Sequence, residues 1–463
     1  MKILHVLANS SPDVNGYAVR TQMLLQHQAK LEGLENVALT SPWYPDRESM
    51  VDAHEMNGVT YHRTLHPSRK KNSKISHKLV RWFTRKPRTD STQRIDENQQ
   101  QKFFLFRIWD FFYYGFFKIG RAIRHFFRIG WKVVEEKILI KYFTKRIIEV
   151  ANEENVDILH AHTPYRVGLP ALKAARKLKI PFVYEMRGMW EETAVANGRW
   201  MRNGPAYRRF QSYETKVLRK ADRVICISET LKDEAIRRGV PAEKISIVTN
   251  AVEGKMLEQN KRSALYPTVT ERLEKNQDAC TVGYIGSLRE MEGVDLTARA
   301  VAQLVQKGLK VQFFVLTGDS GQAELRQLCK ELGIENFSTI VGPVPHDEVA
   351  TFYTLIDVFV VSRPSSRVTQ LVTPLKPFEA MAMGRTVVAS KLAALEEIIQ
   401  HEKTGLLYKP DDLNDLADTI ELCVKQPEKR KEIGRAAQHW VLEHRTWDVV
   451  VKNTKEVYNR LEI

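Results

Sequence analysis

The feature that most constrains the fold is a regular alternation of short apolar runs with amphipathic helical stretches. In the first half of the chain the strand candidates are KILHVL (2–7), VDILHAH (156–162), PFVYEM (181–186), RVICIS (223–228) and KISIVT (244–249). In the second half they are TVGYIGS (281–287), VQFFVLTG (311–318), FSTIVG (337–342), VFVVS (358–362), TVVAS (386–390) and GLLY (405–408). Helical stretches such as Arg20–Leu31 and Pro170–Leu178 lie between them. This alternation indicates parallel sheets covered by helices on both faces.

Two such series, separated by the polar stretch Glu258–Asp278, predict an α/β protein with two Rossmann-like, doubly wound domains facing a cleft. A chain of 463 residues is also too long for one compact core. We expect residues 1–255 to form the first domain and 275–435 the second. Residues 440–463 have a helical pattern and are expected to cross back onto the first domain.

The net charge of +15 is concentrated in one segment. Residues 65–145 contain 20 Lys and Arg against six Asp and Glu, so the rest of the chain is almost neutral. Within it, 13 of the 29 residues from 103 to 131 are aromatic, with Lys and Arg interleaved. We interpret residues 66–142 as a basic, aromatic, helical insertion in the first domain.

Basic side chains can lie among lipid headgroups while aromatic rings enter the interfacial layer, so the insertion predicts peripheral docking on an anionic membrane. Charged residues interrupt the aromatic run too often for it to span a bilayer. Two alternatives stay open: extra helices that only pack on the first domain, and nucleic-acid binding. The segment has no recognisable nucleic-acid motif, so we expect no nucleic-acid partner.

Other features indicate a cytoplasmic protein on the inner face of the cell membrane. Residues 2–7 are interpreted as a first strand, because the apolar run is too short for a signal peptide. The four cysteines, at positions 226, 280, 329 and 423, form no CxxC pair, which argues against disulfides and a zinc site. There is also no DxD after a strand and no HExxH, so we expect neither a metal nor a cofactor.

The strongest local cluster is TPLKPFEAMAMG (373–384), which follows the strand VFVVS and opens a helix. A helix start offers free N–H groups to an anion, and Lys376 adds a positive charge there. Arg367, in the preceding loop, adds a second charge that can bind a phosphate in bidentate fashion. Glu379 lies one turn into the helix, where it can accept hydrogen bonds from sugar hydroxyls. A diphosphate with a ribose suits this arrangement, although an ordinary capped helix would show the same pattern.

Several further segments carry a resemblance to a known family. They are the loop NSSPDVNGYAVRT around Gly16, HAHTP (160–164), YEMRGMWEE (184–192), ADRVICISETLKDEAIRRG (221–239), VTNAV (248–252), VGYIGSLREMEGVD (282–295), LTGDSG (316–321) and PLKPFEAMAMGRTVVAS (374–390). In their order and spacing they resemble family 4 of the retaining GT-B glycosyltransferases. The resemblance covers nearly the whole chain except the insertion, and this sequence is similar to a branch with TPLK before the EAMA helix.

The resemblance implies transfer of a sugar from a nucleotide-diphosphate sugar, with retention of anomeric configuration and without a metal. Membrane docking of the insertion, rather than the resemblance, leads us to expect a lipid-linked or polysaccharide acceptor, as in envelope or exopolysaccharide biosynthesis. The resemblance assigns catalytic roles to His162, Lys376 and Arg367. It assigns donor binding to the residues Gly16, Gly286, Arg289, Thr373 and Glu379.

The sequence departs from the family pattern at three positions. Leu371 stands where the family has an earlier glutamate, and Ser287 and Glu292 stand where it often has cations. We therefore expect Arg367, Lys376 and Arg289 to replace the missing cations.

The paired histidines His160 and His162 end the strand VDILHAH, and one is expected to face the helices and the other the cleft. Arg187, which ends YEMR, is a second cleft candidate for a phosphate or an acceptor acid. Two other functions remain possible from the sequence: a GT-B epimerase or phosphorylase, and a non-enzymatic basic adaptor at a membrane.

Overall fold

The computed structural model describes residues 1–10, 13, 16–44, 53–56, 58–67, 132–254, 278–345 and 348–461. The predicted insertion at 66–142 lies outside this part of the chain except for its two ends, and so does most of the polar stretch 258–278. The described residues form two sheets, each built from parallel strands with helices on both faces.

The first sheet has eight strands in the order β3-β4-β2-β1-β5-β6-β7-β8. They are β1 (Lys2–Leu7), β2 (Glu35–Thr40), β3 (Ala53–Met56), β4 (Val59–His62), β5 (Ile158–His162), β6 (Phe182–Met186), β7 (Arg223–Cys226) and β8 (Ile245–Ile247). The pairing of β3 with β4 is antiparallel, and the other pairings are parallel. The chain reverses its winding between β1 and β5, which opens a crevice at their carboxyl ends.

The second sheet has six strands in the order β11-β10-β9-β12-β13-β14, all parallel. They are β9 (Cys280–Ile285), β10 (Val311–Leu316), β11 (Ser338–Val341), β12 (Val358–Val361), β13 (Thr386–Ser390) and β14 (Leu406–Tyr408). Its winding reverses between β9 and β12, so the second crevice lies beyond Ile285 and Val361.

Helices connect the strands. Those of the first domain are α1 (Gly16–Gln28), α2 (132–153), α3 (Tyr165–Leu178), α4 (Trp190–Ala196), α5 (Pro205–Lys220) and α6 (Glu229–Arg237). Those of the second are α7 (Val294–Gln306), α8 (Gln322–Glu331), α9 (Val349–Tyr353), α10 (Arg367–Leu371), α11 (Lys376–Ala382), α12 (Ala393–Glu396), α13 (Leu413–Lys425) and α14 (Pro427–His444). The last helix is α15 (Trp447–Asn459), and short 3-10 helices lie at Ala242–Lys244, Glu290–Glu292 and Glu335–Phe337.

The last helix packs on the first sheet rather than the second. Trp447 and Tyr458 are buried in one apolar cluster with Ile3 of β1 and Leu24 of α1. The chain passes between the domains at Thr446, which forms a β-bridge with Val252. The carboxyl-terminal residues therefore complete the core of the domain in which the chain begins.

The predicted fold class is confirmed: two parallel α/β domains are present. Three strands, β2, β3 and β4, were not predicted; β3 and β4 have only four residues each and carry polar side chains. Within the part of the chain that the structure describes, no helix is long and apolar enough to cross a membrane.

Candidate functional site

The two domains contact each other through residues that follow their strands. Asn250, just after β8, donates its side-chain N–H to the carbonyl of Thr373 at 2.9 Å. Gly16, the first residue of α1, lies against Leu375, with 3.8 Å from an ideal Cβ to the leucine Cδ1. The carboxyl edges of both sheets therefore meet, which is where ligands of open α/β sheets bind.

Glu292 is the centre of a cation cluster at the carboxyl ends of β9 and β12. Its carboxylate lies 3.1 Å from the Lys376 Nζ, 3.1 Å from an Arg363 guanidinium nitrogen and 3.5 Å from one of Arg289. We call these four residues the Glu292 cluster. Three cations around one carboxylate leave a local charge of +2, which suits a diphosphate.

The cluster shifts the pKa values of its own members. Burial alone would raise the pKa of Glu292, but Arg363 and Lys376 outweigh burial and lower it to about 2. Glu292 is therefore ionised throughout the physiological range. Burial lowers the pKa of Lys376, and the Glu292 carboxylate acts in the opposite direction.

Gly286 lets Lys376 take its place in the cluster. Gly286 has φ +144°, and an ideal Cβ built on it would lie 2.3 Å from the Lys376 Cε. That separation is too short for two non-bonded carbons, so a side chain at position 286 must displace the lysine. The Lys376 ammonium also lies 4.8 Å from the centroid of the Tyr284 ring, a cation–π contact.

Thr373 and Glu379 flank the cluster on the chain that leads into and through α11. The Thr373 hydroxyl is buried and has no hydrogen-bond partner among the described residues. A buried hydroxyl without a partner costs free energy, and a bound ligand can supply one. Glu379 is half-buried and accepts a hydrogen bond from the Tyr353 hydroxyl at 2.6 Å. α11 has only seven residues, so side-chain cations, more than its dipole, provide the positive charge here.

Arg367 has different neighbours from Lys376. Its guanidinium binds Glu192 at 3.1 Å and Glu234 at 2.9 Å, two buried carboxylates of the first domain. Arg367 thus forms an ion pair across the domain boundary. The role of Arg367 at the diphosphate remains a prediction. Arg363, which was not predicted from the sequence, shares the Glu292 carboxylate with Lys376.

The expectation that His160 and His162 point to opposite sides of the sheet is wrong. Residues two apart in a strand share a face, and the two imidazole rings are stacked with centroids 4.3 Å apart. His5 of β1 joins them, with its Nδ1 3.1 Å from the His162 Nε2. All three are buried, and the catalytic role expected for His162 remains a prediction.

Glu185 of β6 links the histidines to two buried arginines. Its carboxylate lies 2.9 Å from the His162 Nδ1, 2.7 Å from an Arg20 nitrogen and 3.1 Å from an Arg187 nitrogen. Burial would raise the pKa of Glu185, but Arg187 and Arg20 hold it well below the usual range. Burial, followed by repulsion from Arg187, lowers the pKa of His162, so this imidazole is neutral.

Three buried histidines are also a set that can ligate a metal, since their ring nitrogens lie within 4.8 Å of one another. Hydrogen bonds already engage these rings: His5 with Asn36 at 3.2 Å, and His160 with Tyr458 at 2.7 Å. Two guanidinium groups also lie on the adjoining carboxylate and would repel a further cation. We therefore assign the histidines to a hydrogen-bond network.

Two family models match the chain. The model "Glycosyl transferases group 1" matches residues 267–440, and "Glycosyltransferase Family 4" matches residues 106–254. Together they cover more than half of the chain and reach both domains.

Known proteins are similar to this chain at low identity. An uncharacterized glycosyltransferase of Methanocaldococcus jannaschii is 26% identical over 51% of this chain and 59% of its own length, less than two thirds of that relative. The D-inositol 3-phosphate glycosyltransferase of Kribbella flavida is 24% identical over 65% of this chain and 70% of its own.

Solved structures show a similar fold over the full length. Sucrose-phosphate synthase from Thermosynechococcus elongatus matches with a TM-score of 0.69 and 17% identity, over 99% of this chain and 98% of that one. Anabaena HepE, solved in complex with UDP-glucose, matches with a TM-score of 0.64 and 16% identity, over 100% of both chains. Family models and fold agree, and the chain is a glycosyltransferase enzyme that belongs to the GT-B, family 4 (group 1) glycosyltransferases.

Proposed function

We propose that this enzyme is a retaining glycosyltransferase that moves a sugar from a nucleotide-diphosphate sugar to a glycan acceptor. The observation that carries the proposal is the Glu292 cluster, a local charge of +2 at the carboxyl ends of β9 and β12. The Anabaena neighbour of the same fold binds UDP-glucose, which supports a nucleotide-sugar donor here.

The donor diphosphate is proposed to bind at Lys376, Arg363 and Arg289. In the transfer step the bond between the anomeric carbon and the diphosphate oxygen breaks, and the diphosphate leaves with the bonding electrons. The Lys376 ammonium stabilises the negative charge that develops on that oxygen. The new bond forms to an acceptor hydroxyl oxygen on the same face of the sugar, and the hydroxyl proton is released.

Glu379 is proposed to hold the donor ribose. Its carboxylate is already oriented by the Tyr353 hydroxyl at 2.6 Å, so one oxygen is fixed before the ligand arrives. The buried, unpartnered hydroxyl of Thr373 supports a ligand contact close by. No divalent metal enters this proposal, because side-chain cations can balance the diphosphate.

The acceptor is proposed to be lipid-linked or polysaccharide, as in envelope or exopolysaccharide biosynthesis. The motivation is the basic, aromatic sequence of residues 66–142, which is suited to an anionic membrane on the cytoplasmic side. Liposome flotation tests this part. The intact chain should float with anionic vesicles at low salt, and a variant lacking residues 103–131 should not; equal flotation of both would contradict the docking.

Kinetics of matched variants test the donor site. Lys376→Ala should lower kcat by roughly 10²–10³-fold, the loss typical of one electrostatic stabiliser of a transition state. Glu379→Ala should mainly weaken nucleotide binding. Arg299→Ala, an exposed cation on α7 of the same domain, is the control and should behave as wild type. Wild-type kinetics in the first two variants would end the assignment.

The stereochemical and metal predictions need one further assay. NMR of the product should show the anomeric configuration of the donor, and activity should survive EDTA. An inverted product, or activity abolished by EDTA, would contradict the proposal. Donor turnover without any acceptor would favour an epimerase instead.

A further inference from the structure

A second basic cavity lies in the carboxyl-terminal domain, at the edge of the sheet opposite the Glu292 cluster. It has a volume of about 460 Å³ and is lined by residues that include Asp357, Arg385, Arg430, Lys431 and Arg435. Asp357 immediately precedes β12, and Arg385 immediately precedes β13. Since parallel strands run in one direction, these residues lie at the amino ends of strands whose carboxyl ends form the proposed donor site.

The cavity has more cations than nearby carboxylates can neutralise. Asp357 binds Arg430 at 3.1 Å, and Glu428 binds Lys431 at 2.9 Å. Arg435 is exposed, and no carboxylate of the described residues lies within ion-pairing distance of it. Arg385 donates instead to main-chain carbonyls. Four cations against two carboxylates leave a local charge of +2.

The two arginines at the base of the cavity are fixed in place. Arg385 donates to the carbonyls of Ile356 at 3.1 Å and Met383 at 2.8 Å, and it is only half-buried, so part of its guanidinium stays accessible. Arg430 is held by Asp357. Burial lowers the pKa of Arg385, and the Asp357 carboxylate opposes this more strongly than the neighbouring Arg430 adds to it.

We infer that this cavity is a second anion site, which binds the phosphoryl group of a phosphorylated ligand independently of the sugar donor. Guanidinium groups bind phosphate oxygens through N–H donors, and three arginines and one lysine line the cavity. Exposed Arg435 offers its whole guanidinium group, whereas Arg385 and Arg430 offer only the N–H groups that their contacts within the protein leave free. A cavity of 460 Å³ has the size typical of small-molecule sites, which span roughly 300–1,000 Å³. The site follows from the cavity alone and does not depend on the proposed donor chemistry.

Titration calorimetry of the full-length protein with pyrophosphate and with inorganic phosphate tests the site. The titrations are repeated on Lys376→Ala, so that binding at the proposed donor site is not mistaken for binding here. We expect Arg435→Ala and Arg385→Gln to weaken pyrophosphate binding by at least about 10-fold, and Lys376→Ala to leave it unchanged. Arg435 is exposed and makes no ion pair with a described residue, so its loss should not affect folding.

Arg299→Ala removes an exposed cation of the same domain that does not line the cavity, and it is the matched control. A second arm uses vesicles of phosphatidylglycerol against phosphatidylcholine. Vesicle binding that depends on Arg435, without pyrophosphate binding, would assign the phosphoryl group to a lipid headgroup. The inference is overturned if neither phosphate, pyrophosphate nor anionic vesicles bind in a way that depends on Arg435 and Arg385. It is also overturned if Arg299→Ala weakens binding equally.

Discussion

Replacing Glu292 by glutamine should destabilise the carboxyl-terminal domain, because it leaves buried cations without their carboxylate. The side chain of Glu292 is 1% exposed, and that of Arg363 is 6% exposed. The folded protein lowers the pKa of Glu292 from 4.5 to about 2. At about 1.4 kcal/mol for each pKa unit, the carboxylate is stabilised by roughly 3 kcal/mol. Breaking a buried ion pair from one side typically costs about 3–5 kcal/mol, in agreement.

The effect has a defined pH dependence. The pKa of Glu292 is lower in the folded protein than in the unfolded chain, so its carboxylate stabilises the fold at pH values above the unfolded-state pKa. That stability is lost as the pH falls through the folded-state pKa. The difference in the free energy of unfolding between wild type and Glu292→Gln should therefore have its full value at pH 7. It should shrink as the pH falls from about 5 to 2.

Urea unfolding followed by fluorescence at several pH values measures this difference. Glu290→Gln is the matched control, because Glu290 is exposed and belongs to the same 3-10 turn. UDP should restore part of the stability of Glu292→Gln, since a ligand at 100 times its Kd adds about 2.7 kcal/mol. A loss below about 1 kcal/mol at pH 7, or a difference that does not change with pH, would refute the reasoning.

Three further predictions follow from the described contacts. Gly286→Ala should weaken nucleotide binding in calorimetry, since its Cβ would lie 2.3 Å from the Lys376 Cε; unchanged affinity would show that the lysine is free to move. Arg367→Ala should lower kcat/KM and expand the molecule in small-angle scattering, because the arginine joins the domains through two carboxylates; an unchanged radius of gyration would contradict this. Burial, followed by repulsion from Glu191, raises the pKa of Glu214 to about 7, so its stabilising contribution is lost as the pH rises through that value. The free energy of unfolding of Glu214→Gln, relative to that of wild type, should therefore rise by up to about 3 kcal/mol between pH 5 and 8. Thermal melts at several pH values measure this, and melting temperatures that change equally with pH in both proteins would contradict it.

The fold class was predictable because it depends on a repeating local pattern. Strands such as β10 and β12 are almost entirely apolar, and each is followed by a helical stretch, so the period identifies both elements. The edge strand β3 and its neighbour β4 have four residues each with polar side chains, and so short a segment has no clear period. They form because β3 pairs with β4 and β4 pairs with β2, and the sequence does not show these contacts.

The site was predictable where it follows strand ends and unpredictable where it depends on long-range pairing. The rule that led to Lys376 also applies to Arg363, which lies two residues beyond the end of β12. The sequence favoured Arg367 over Arg363 because Arg367 lies nearer the TPLK motif. Glu292 was noted only as a departure from the family, since its pairing with residues 363 and 376 bridges about 70 and 80 positions of sequence. The ion pairs of Arg367 across the domain boundary are equally nonlocal.

The measurement that tests the central claim most directly is nucleotide-sugar binding and turnover in matched variants. UDP-, GDP- and ADP-sugars are titrated against wild type, Glu379→Ala and the exposed-cation control Arg299→Ala. Trial glycan acceptors are then added with whichever donor binds. The account predicts that one donor class binds wild type and the control equally, binds Glu379→Ala at least about 10-fold more weakly, and loses its sugar to an acceptor. Binding of no nucleotide sugar, or equal binding by Glu379→Ala, would contradict the account.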